Sequence, residues 1–390
     1  MKITEESCSQ LQSHNSKRLK MASRSSSLSR FPALLFCHPS MENLASAIAR
    51  KCSRESLSLT CFTPNPTSSQ TLDSHPLSQE NVTRVQMRLQ SVEFHKNGIQ
   101  WDSFKDGWPN LFIENVKQCA GRDVIFLGSF HSPEVVFEQL SILYNMPRYL
   151  ARSFKFILPY FPTGTMERVD TEGQVATAKV LAMMLSSIPS TARGPAQIVM
   201  FDIHALQERF YFSDTIIPRL ESAIPLLQRE MLKLPDDVKF NIAIAFPDDG
   251  AHKRFHGMFD DFPQITCIKV RNGDKRVVTI KEGEAKNHHV IIIDDLVQTG
   301  GTLINCARVL LESGAASVSA YVTHAVFPQD SWKAFTTEEA AKSGVKFDHF
   351  WITDSLPHAS TIAEHAPFKL LSLCDVISEL LLGYDLVQHI

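Results

Sequence analysis

The 390-residue sequence predicts an α/β protein with two consecutive domains, each a mainly parallel sheet flanked by helices. Two observations predict it. Short strands that are apolar at every position, such as "VIFL", "IAIAF" and "VIII", need cover on both faces, which parallel sheets receive from their crossover helices. These strands alternate with amphipathic stretches long enough to be the crossovers, and the alternation runs over a length that suits about two domains plus extra sequence.

Ordered structure is expected from about residue 32, after a polar leader over 1–31. "ALLFCH" (33–38) has the pattern of a buried strand, and "SMENLASAIARK" (40–51) that of a helix with Ser40 as N-cap and apolar residues at 44, 45, 47, 48 and 49. Residues 52–91 are rich in Ser, Thr, Pro and Gln and have little periodicity, which predicts an insertion or long loop. The pattern then becomes regular. "RDVIFLGSF", "SFKFILPYF" and "AQIVMFDIH" are strands, separated by helices in "SPEVVFEQLSILYNM" and "TEGQVATAKVLAMMLSSI". A helix over 214–233 opens the second domain, followed by strands in "KFNIAIAFPDDG", "QITCIKVRN" and "HHVIIIDDL", a helix over 301–313 ended by Gly314, and strands in "SVSAYVTHAVF" and "FDHFWITDS". The expected domains are thus 32–213 and 214–365, with a final strand and helix over 366–390.

Composition narrows the function. A formal net charge of −3 gives no basic bulk for nucleic acid, and the longest apolar runs, Val290–Ile293 and Val180–Leu185, fall far short of the roughly 20 residues that cross a bilayer. Neither nucleic acid nor membrane is an expected partner. The eight cysteines form no C-x-x-C pair and no cluster with histidine, so a reducing compartment and buried thiols are the expectation. "SKRLKMASRSSSLSR" near the N-terminus is basic, Ser-rich and free of acids, which leaves a mitochondrial or plastid targeting segment open beside a cytoplasmic location.

Ligands of α/β domains collect where strands end and loops lead into helices. In "VIIIDDLVQTGGTL" (290–303), Asp294 and Asp295 close a strand, and Thr299, Gly300, Gly301 and Thr302 enter a helix. Glycines there let backbone N–H groups turn toward an anion, and the helix start supplies unpaired donors and partial positive charge. No Lys follows the glycines, so this is no Walker loop. Carboxylates beside a phosphate cradle need another partner, either sugar hydroxyls or a bridging Mg²⁺. Phosphate, hydroxyls and metal together describe a ribose 5-phosphate. "FDIHALQERFYF" places His204 two residues after Asp202 at another strand end, a position where a lone His is more often structural. "PDDGAHKRF" adds Asp248, Asp249, Gly250, Lys253 and Arg254, a second loop with oxygen ligands and cations. "CIKVRNGDKR" adds Lys269, Arg271, Lys275 and Arg276, a candidate mobile cap that would neutralise charge during phosphoryl transfer.

The string at 290–303 resembles the phosphoribosyl-diphosphate loop of phosphoribosyltransferase-like proteins, although Gln298 stands where those proteins usually carry an acid. With "LPYFPTGTMER" (158–168), "DIHALQ", "PDDGAHKR" and "KVR" in order, residues 32–390 outside the insertion resemble the ribose-phosphate diphosphokinase family. The resemblance implies two phosphoribosyltransferase-like domains, ATP and ribose 5-phosphate as substrates, Mg²⁺ as cofactor and a homo-oligomer. It implies catalytic roles for Lys269 and Arg271 and a ribose 5-phosphate site at Asp294, Asp295 and Thr299–Thr302. The diphosphate loop would be Asp248, Asp249, Gly250, Lys253 and Arg254, and metal would lie at His204 and Asp248 with Asp202 beside them. Phe104 and Asp106 of "FKDGW", with Glu167, Arg168 and His204, fall on the nucleotide side. Thr165, Met166 and Trp108 depart from the family's usual base-holding residues and resemble its plant class II members, which implies a relaxed choice of nucleoside triphosphate and independence from phosphate activation. A phosphoribosyltransferase and a non-catalytic regulatory homologue are the competing readings.

Overall fold

The computed structural model describes residues 31–60, 91–272, 275–337, 339 and 344–383, and the side chains of 55–60 and 271–277 lie outside that description. The expected leader and most of the expected insertion, 61–90, also fall outside it.

Strands β1 (Ala33–Cys37), β2 (Val92–Phe94), β5 (Asp123–Leu127), β6 (Ser153–Ile157), β7 (Ala196–Phe201) and β8 (Ile216–Glu221) form one sheet in the order β2-β1-β5-β6-β7-β8, parallel throughout. The second sheet runs β11-β10-β9-β12-β13-β14-β15, from β9 (Ile242–Phe246), β10 (Gln264–Asn272), β11 (Lys275–Glu282), β12 (His289–Val297), β13 (Ser317–Ala325), β14 (Phe350–Thr353) and β15 (Phe368–Leu371). Only the β10–β11 pair in it is antiparallel. A separate antiparallel hairpin, β3 (Ile99–Ser103) and β4 (Pro109–Ile113), covers part of the first sheet.

Side chains alternate across each strand, so wholly apolar strands feed two cores at once. In the first sheet Leu34, Phe36, Val124 and Phe126 pack outward beneath the helices Pro133–Asn145 and Thr177–Leu185, whereas Leu35, Ile125 and Leu127 pack inward. In the second, Ala243, Ala245, Val290 and Ile292 pack under the helix Gly301–Glu312, whereas Ile244, Phe246, Ile291 and Ile293 turn inward. The two inward faces meet in one continuous core through the helices Glu42–Thr60, Ile224–Met231 and Cys374–Leu382. The C-terminal segment is therefore no separate piece. β15 completes the second sheet, and the last helix lies in the shared layer, pinned by Lys51–Asp375 at 2.7 Å and Arg229–Glu379 at 2.7 Å.

Three expected boundaries change. His38, not Ser40, caps the first helical segment: its Nδ1 lies 3.3 Å from Ser40 N, and a 3-10 turn over Pro39–Met41 precedes the α-helix. That helix runs to Thr60 rather than ending at 51, because tertiary packing, with Cys52 fully buried, outweighs the low propensity of its serines. The expected helix over 214–233 divides into β8, an edge strand able to hold Pro218, and the helix Ile224–Met231. The first lobe consequently extends past 213 to the end of β8.

Candidate active site

A cavity of about 880 Å³ opens where the loops after β7, β9 and β12 meet β10. Its lining includes Glu167, Arg168, His204, Asp248, Asp249, Gly250, Lys253, Arg254, Lys269, Asp294, Asp295 and Thr299–Thr302. Most of the residues singled out in the sequence, from segments far apart in the chain, therefore share one site.

The anion cradle is local in origin. Gly300 adopts a φ of 80° and starts the helix Gly301–Glu312 without any side-chain cap, so the first N–H groups keep their donors. A Cβ on Gly300 would come within 2.4 Å of Phe335 Cζ, whereas one on Gly301 would meet open space. Beneath the loop, Cys306 on this helix touches Cys267 on β10, Sγ to Sγ 3.5 Å, and both are fully buried, as Cys52 and Cys119 are, whereas Cys37 and Cys374 are half-buried, short of the expectation of buried thiols.

The two carboxylates of β12 have different partners, since neighbouring strand residues face opposite sides. Asp295 points to the first lobe, where its Oδ2 accepts from His204 Nδ1 at 2.8 Å and lies 3.4 Å from Arg254. Burial pushes its carboxyl up, but the His204 hydrogen bond and the Arg254 charge together outweigh that and hold it below the ordinary range. Asp294 behaves oppositely: burial, then the adjacent Asp295 charge, raise it well above the ordinary value. Asp295 thus has one oxygen engaged by His204, while it lines the cavity beside Asp294.

His204 gains from the same contact. The Asp295 hydrogen bond outweighs burial and raises the imidazole above its ordinary pKa. With Nδ1–H turned to the carboxylate, Nε2 is the nitrogen left for a ligand, the arrangement by which second partners orient metal-binding histidines. Arg254 also donates to His204 O at 3.0 Å, so its guanidinium anchors the loop.

The loop after β9, expected to supply oxygen ligands and cations, has its carboxylates engaged within the protein. Asp248 is the N-cap of the helix Asp249–Phe255, its Oδ1 accepting from Gly250 N and Ala251 N at 3.1 Å each, while Oδ2 meets Lys269 Nζ at 3.3 Å. Asp249 pairs with Lys281 at 2.9 Å, and that cation holds its carboxyl below the ordinary range. Lys253 is exposed on the same helix. Lys269 belongs to a two-stranded ribbon: β9 pairs only with Gln264–Thr266 of β10, and the rest of β10 runs on with β11 alone. The expected cap is therefore a β-ribbon, and the side chains of Arg271, Lys275 and Arg276 lie outside the described ones.

Other expected residues lie elsewhere. Asp202 does not reach the cavity: it is 4% exposed, and its oxygens accept from Ser222 Oγ, Ala223 N and Thr323 Oγ1 at 2.7, 2.9 and 2.6 Å. Those donors leave it no room as a metal ligand. Phe104 and Asp106 stand at the tip of the β3–β4 hairpin, where Asp106 Oδ1 accepts from Trp108 N at 3.3 Å and Phe104 is 56% exposed. Among the described residues no three His, Cys, Asp or Glu side chains converge on a metal position. His204 and Asp248 alone line the cavity from the expected set, a sparse supply that suits Mg²⁺, which keeps waters and takes one or two protein ligands beside substrate phosphates.

Sequence reasoning missed Glu208. It is fully buried, accepts from Ala205 N at 3.0 Å, and burial pushes its carboxyl up to about 7. Its only signal was an acid three residues into a helical turn, which ordinarily marks an exposed capping position. Thr323 and His324 were also missed, although two polar residues interrupt the apolar strand "SAYVTHAVF" near its carboxyl end.

Comparison with known proteins gives the family and the fold. Residues 34–188 match the model of the N-terminal domain of ribose phosphate pyrophosphokinase, and 214–371 that of the phosphoribosyl transferase domain. The chain is 54% identical over 305 residues to ribose-phosphate pyrophosphokinase 3, chloroplastic, of Arabidopsis thaliana, covering 78% of this chain and 73% of that one. It is 53% identical over 290 residues to ribose-phosphate pyrophosphokinase 3, mitochondrial, of Spinacia oleracea, covering 74% and 71%. The crystal structure of phosphoribosylpyrophosphate synthetase from Mycobacterium smegmatis superposes with a TM-score of 0.68 at 18% identity, over 92% of this chain and 100% of that one, and shares the fold.

Proposed function

The chain is an enzyme of the ribose-phosphate pyrophosphokinase family, and from that premise we propose that it transfers the diphosphoryl group of ATP to the 1-hydroxyl of ribose 5-phosphate, for nucleotide biosynthesis. The products are 5-phosphoribosyl 1-diphosphate and AMP. One observation carries the reading: an uncapped helix start suited to a phosphate shares a single cavity with Lys253 and Lys269, cations placed to meet a second, larger anion.

In this reading the N–H groups at Gly301 and Thr302, with the Thr299 and Thr302 hydroxyls, hold the 5-phosphate, and Asp294 accepts from ribose hydroxyls. The sugar O1–Pβ bond forms, its hydroxyl proton passing to solvent, as the bond from Pβ to the α-phosphate oxygen breaks and AMP leaves, so the protein's task is alignment and charge stabilisation. Lys269, exchanging its contact with Asp248 for the β-phosphoryl oxygens, meets the charge that gathers there. Mg²⁺ would be held by His204 and Asp248 together with substrate oxygens and would neutralise the triphosphate. Asp295 keeps His204 turned for that task, and Arg254 keeps the loop in place.

Because Phe104 and Asp106 stand exposed on a hairpin tip outside this cavity, a nucleotide contact by them fits best in a homo-oligomer, where the tip meets another copy. The organelle names of the two relatives favour a targeting role for the basic, Ser-rich leader over a cytoplasmic location. Among the described residues no helix is long and apolar enough to cross a membrane.

The deciding assay is AMP release from ATP with no base added. Release that requires ribose 5-phosphate supports the proposal. A phosphoribosyltransferase or a non-catalytic homologue releases none.

A further inference from the structure

We infer that Thr323 and His324, near the carboxyl end of β13, are positioning residues that carry His204 to the rim of the cavity. The site is assembled across two lobes: His204 comes from the first, and its partner Asp295 from the second. Two buried hydrogen bonds join the lobes at the base of the His204 loop. Thr323 Oγ1 donates to Asp202 Oδ2 at 2.6 Å, and His324 Nε2 donates to Phe201 O at 2.9 Å, with Thr323 fully buried and His324 2% exposed.

Phe201 O can only accept, so Nε2 carries the hydrogen; in the neutral ring Nδ1 then accepts from Ser355 Oγ at 2.9 Å, in place of the 3.0 Å contact from that hydroxyl to Thr323 O. Burial lowers the ring's pKa and keeps it neutral, as that arrangement requires. Thr353 Oγ1 donates to Thr323 O at 2.6 Å, which fixes the strand that carries both residues. Asp202 turns with a φ of 37°, a conformation that L side chains rarely adopt unless several contacts impose it. This turn redirects the chain leaving β7, and two residues later His204 Nδ1 meets Asp295 Oδ2. β13 pairs directly with β12, the strand of Asp295, so the clasp and the carboxylate that receives His204 stand on adjacent strands.

The inference rests on the reading that His204 acts on the nucleotide side, and one variant series tests both. Thr323→Val keeps the side-chain shape and removes the hydroxyl donated to Asp202. We expect kcat/KM for ATP to fall by about 10- to 100-fold while KM for ribose 5-phosphate, held at the Gly300 loop, stays within about twofold. Thr323→Ser, which restores the donor, should recover most of the loss. Ser222→Ala removes a different donor to Asp202, one supplied by the residue that follows β8, and should lower stability without that kinetic split. Should Thr323→Val fail to fold, Thr323→Cys carries the same comparison with a much weaker donor of similar size. An unchanged KM for ATP, with kcat falling only in step with the folded fraction, would overturn the inference, as would the same split in Ser222→Ala. A wild-type chain that releases no AMP sinks the functional reading and this one with it. An active wild type beside an indifferent Thr323→Val overturns the clasp alone.

Discussion

Replacing Gly300 by Ala should injure the sugar-phosphate end of the site through backbone geometry alone. At a φ of 80° an L residue takes on a left-handed strain of about 1–2 kcal/mol. The new methyl would also stand 2.3 Å from Phe335 Cε2, an overpacking that typically costs about 1–3 kcal/mol. Phe335 cannot simply swing aside. It is 2% exposed and hemmed in by the rings of Phe350, Phe347 and Phe327 at 5.0, 5.4 and 5.6 Å. The loop is therefore the part that gives way, and a displacement near 1 Å at such a site can cost on the order of 10²-fold in catalysis. We expect a lower melting temperature and a KM for ribose 5-phosphate raised tenfold or more, about 1.4 kcal/mol, with KM for ATP little changed. Steady-state kinetics with each substrate varied, beside thermal denaturation, measure both effects. Gly300→Ala/Phe335→Leu should recover part of the loss, because the clash goes while the φ strain stays. Gly301→Ala, with negative φ and open space at the added methyl, should leave stability unchanged. If Gly300→Ala kept both the wild-type melting temperature and the wild-type KM, the reasoning from glycine geometry would be refuted.

Two further predictions follow from single residues. Lys269→Ala should lower turnover on the order of 10² or more while changing KM for ribose 5-phosphate little, and a near-normal turnover number would contradict its role. Glu208, with a folded pKa of about 7 against an ordinary 4.5, holds its proton more tightly folded than unfolded, so its contribution is fully present below about pH 4.5 and is lost as pH rises through about 7. At 1.36 kcal/mol per unit that loss is on the order of 3 kcal/mol. Glu208→Gln keeps an acceptor for Ala205 N but carries no charge, so its stability relative to wild type should rise across that window in melting curves. Parallel pH profiles of the two proteins would rule this out.

Much of the site was legible because its parts are local. The glycine turn and the uncapped helix start expected from Thr-Gly-Gly-Thr form at 300–301, although the strand runs on past Asp294 and Asp295 to Val297, held by its pairing with β13. Where the reading erred, tertiary context supplied the difference. "TIIPRLE" has apolar spacing that a helix could use, yet it closes the first sheet because β7 offers it a free edge. Asp202 looked like a metal ligand beside His204, but a donor 121 residues away in the chain takes it into the interior.

The sequence by itself determined most of the alternation of buried strands and helices, the glycine turn at 300, and the chemistry gathered in each loop, since these depend on neighbours a few residues apart. Only the tertiary structure decided that Asp295 serves His204 while Asp294 takes no part in that contact. It also decided that Asp248 spends one oxygen capping its own helix, and that the first lobe's loop is clasped to β13. Those outcomes hang on which side chains meet across two sheets sharing one core, a pairing set by long-range packing and by the need of each buried polar group for a partner.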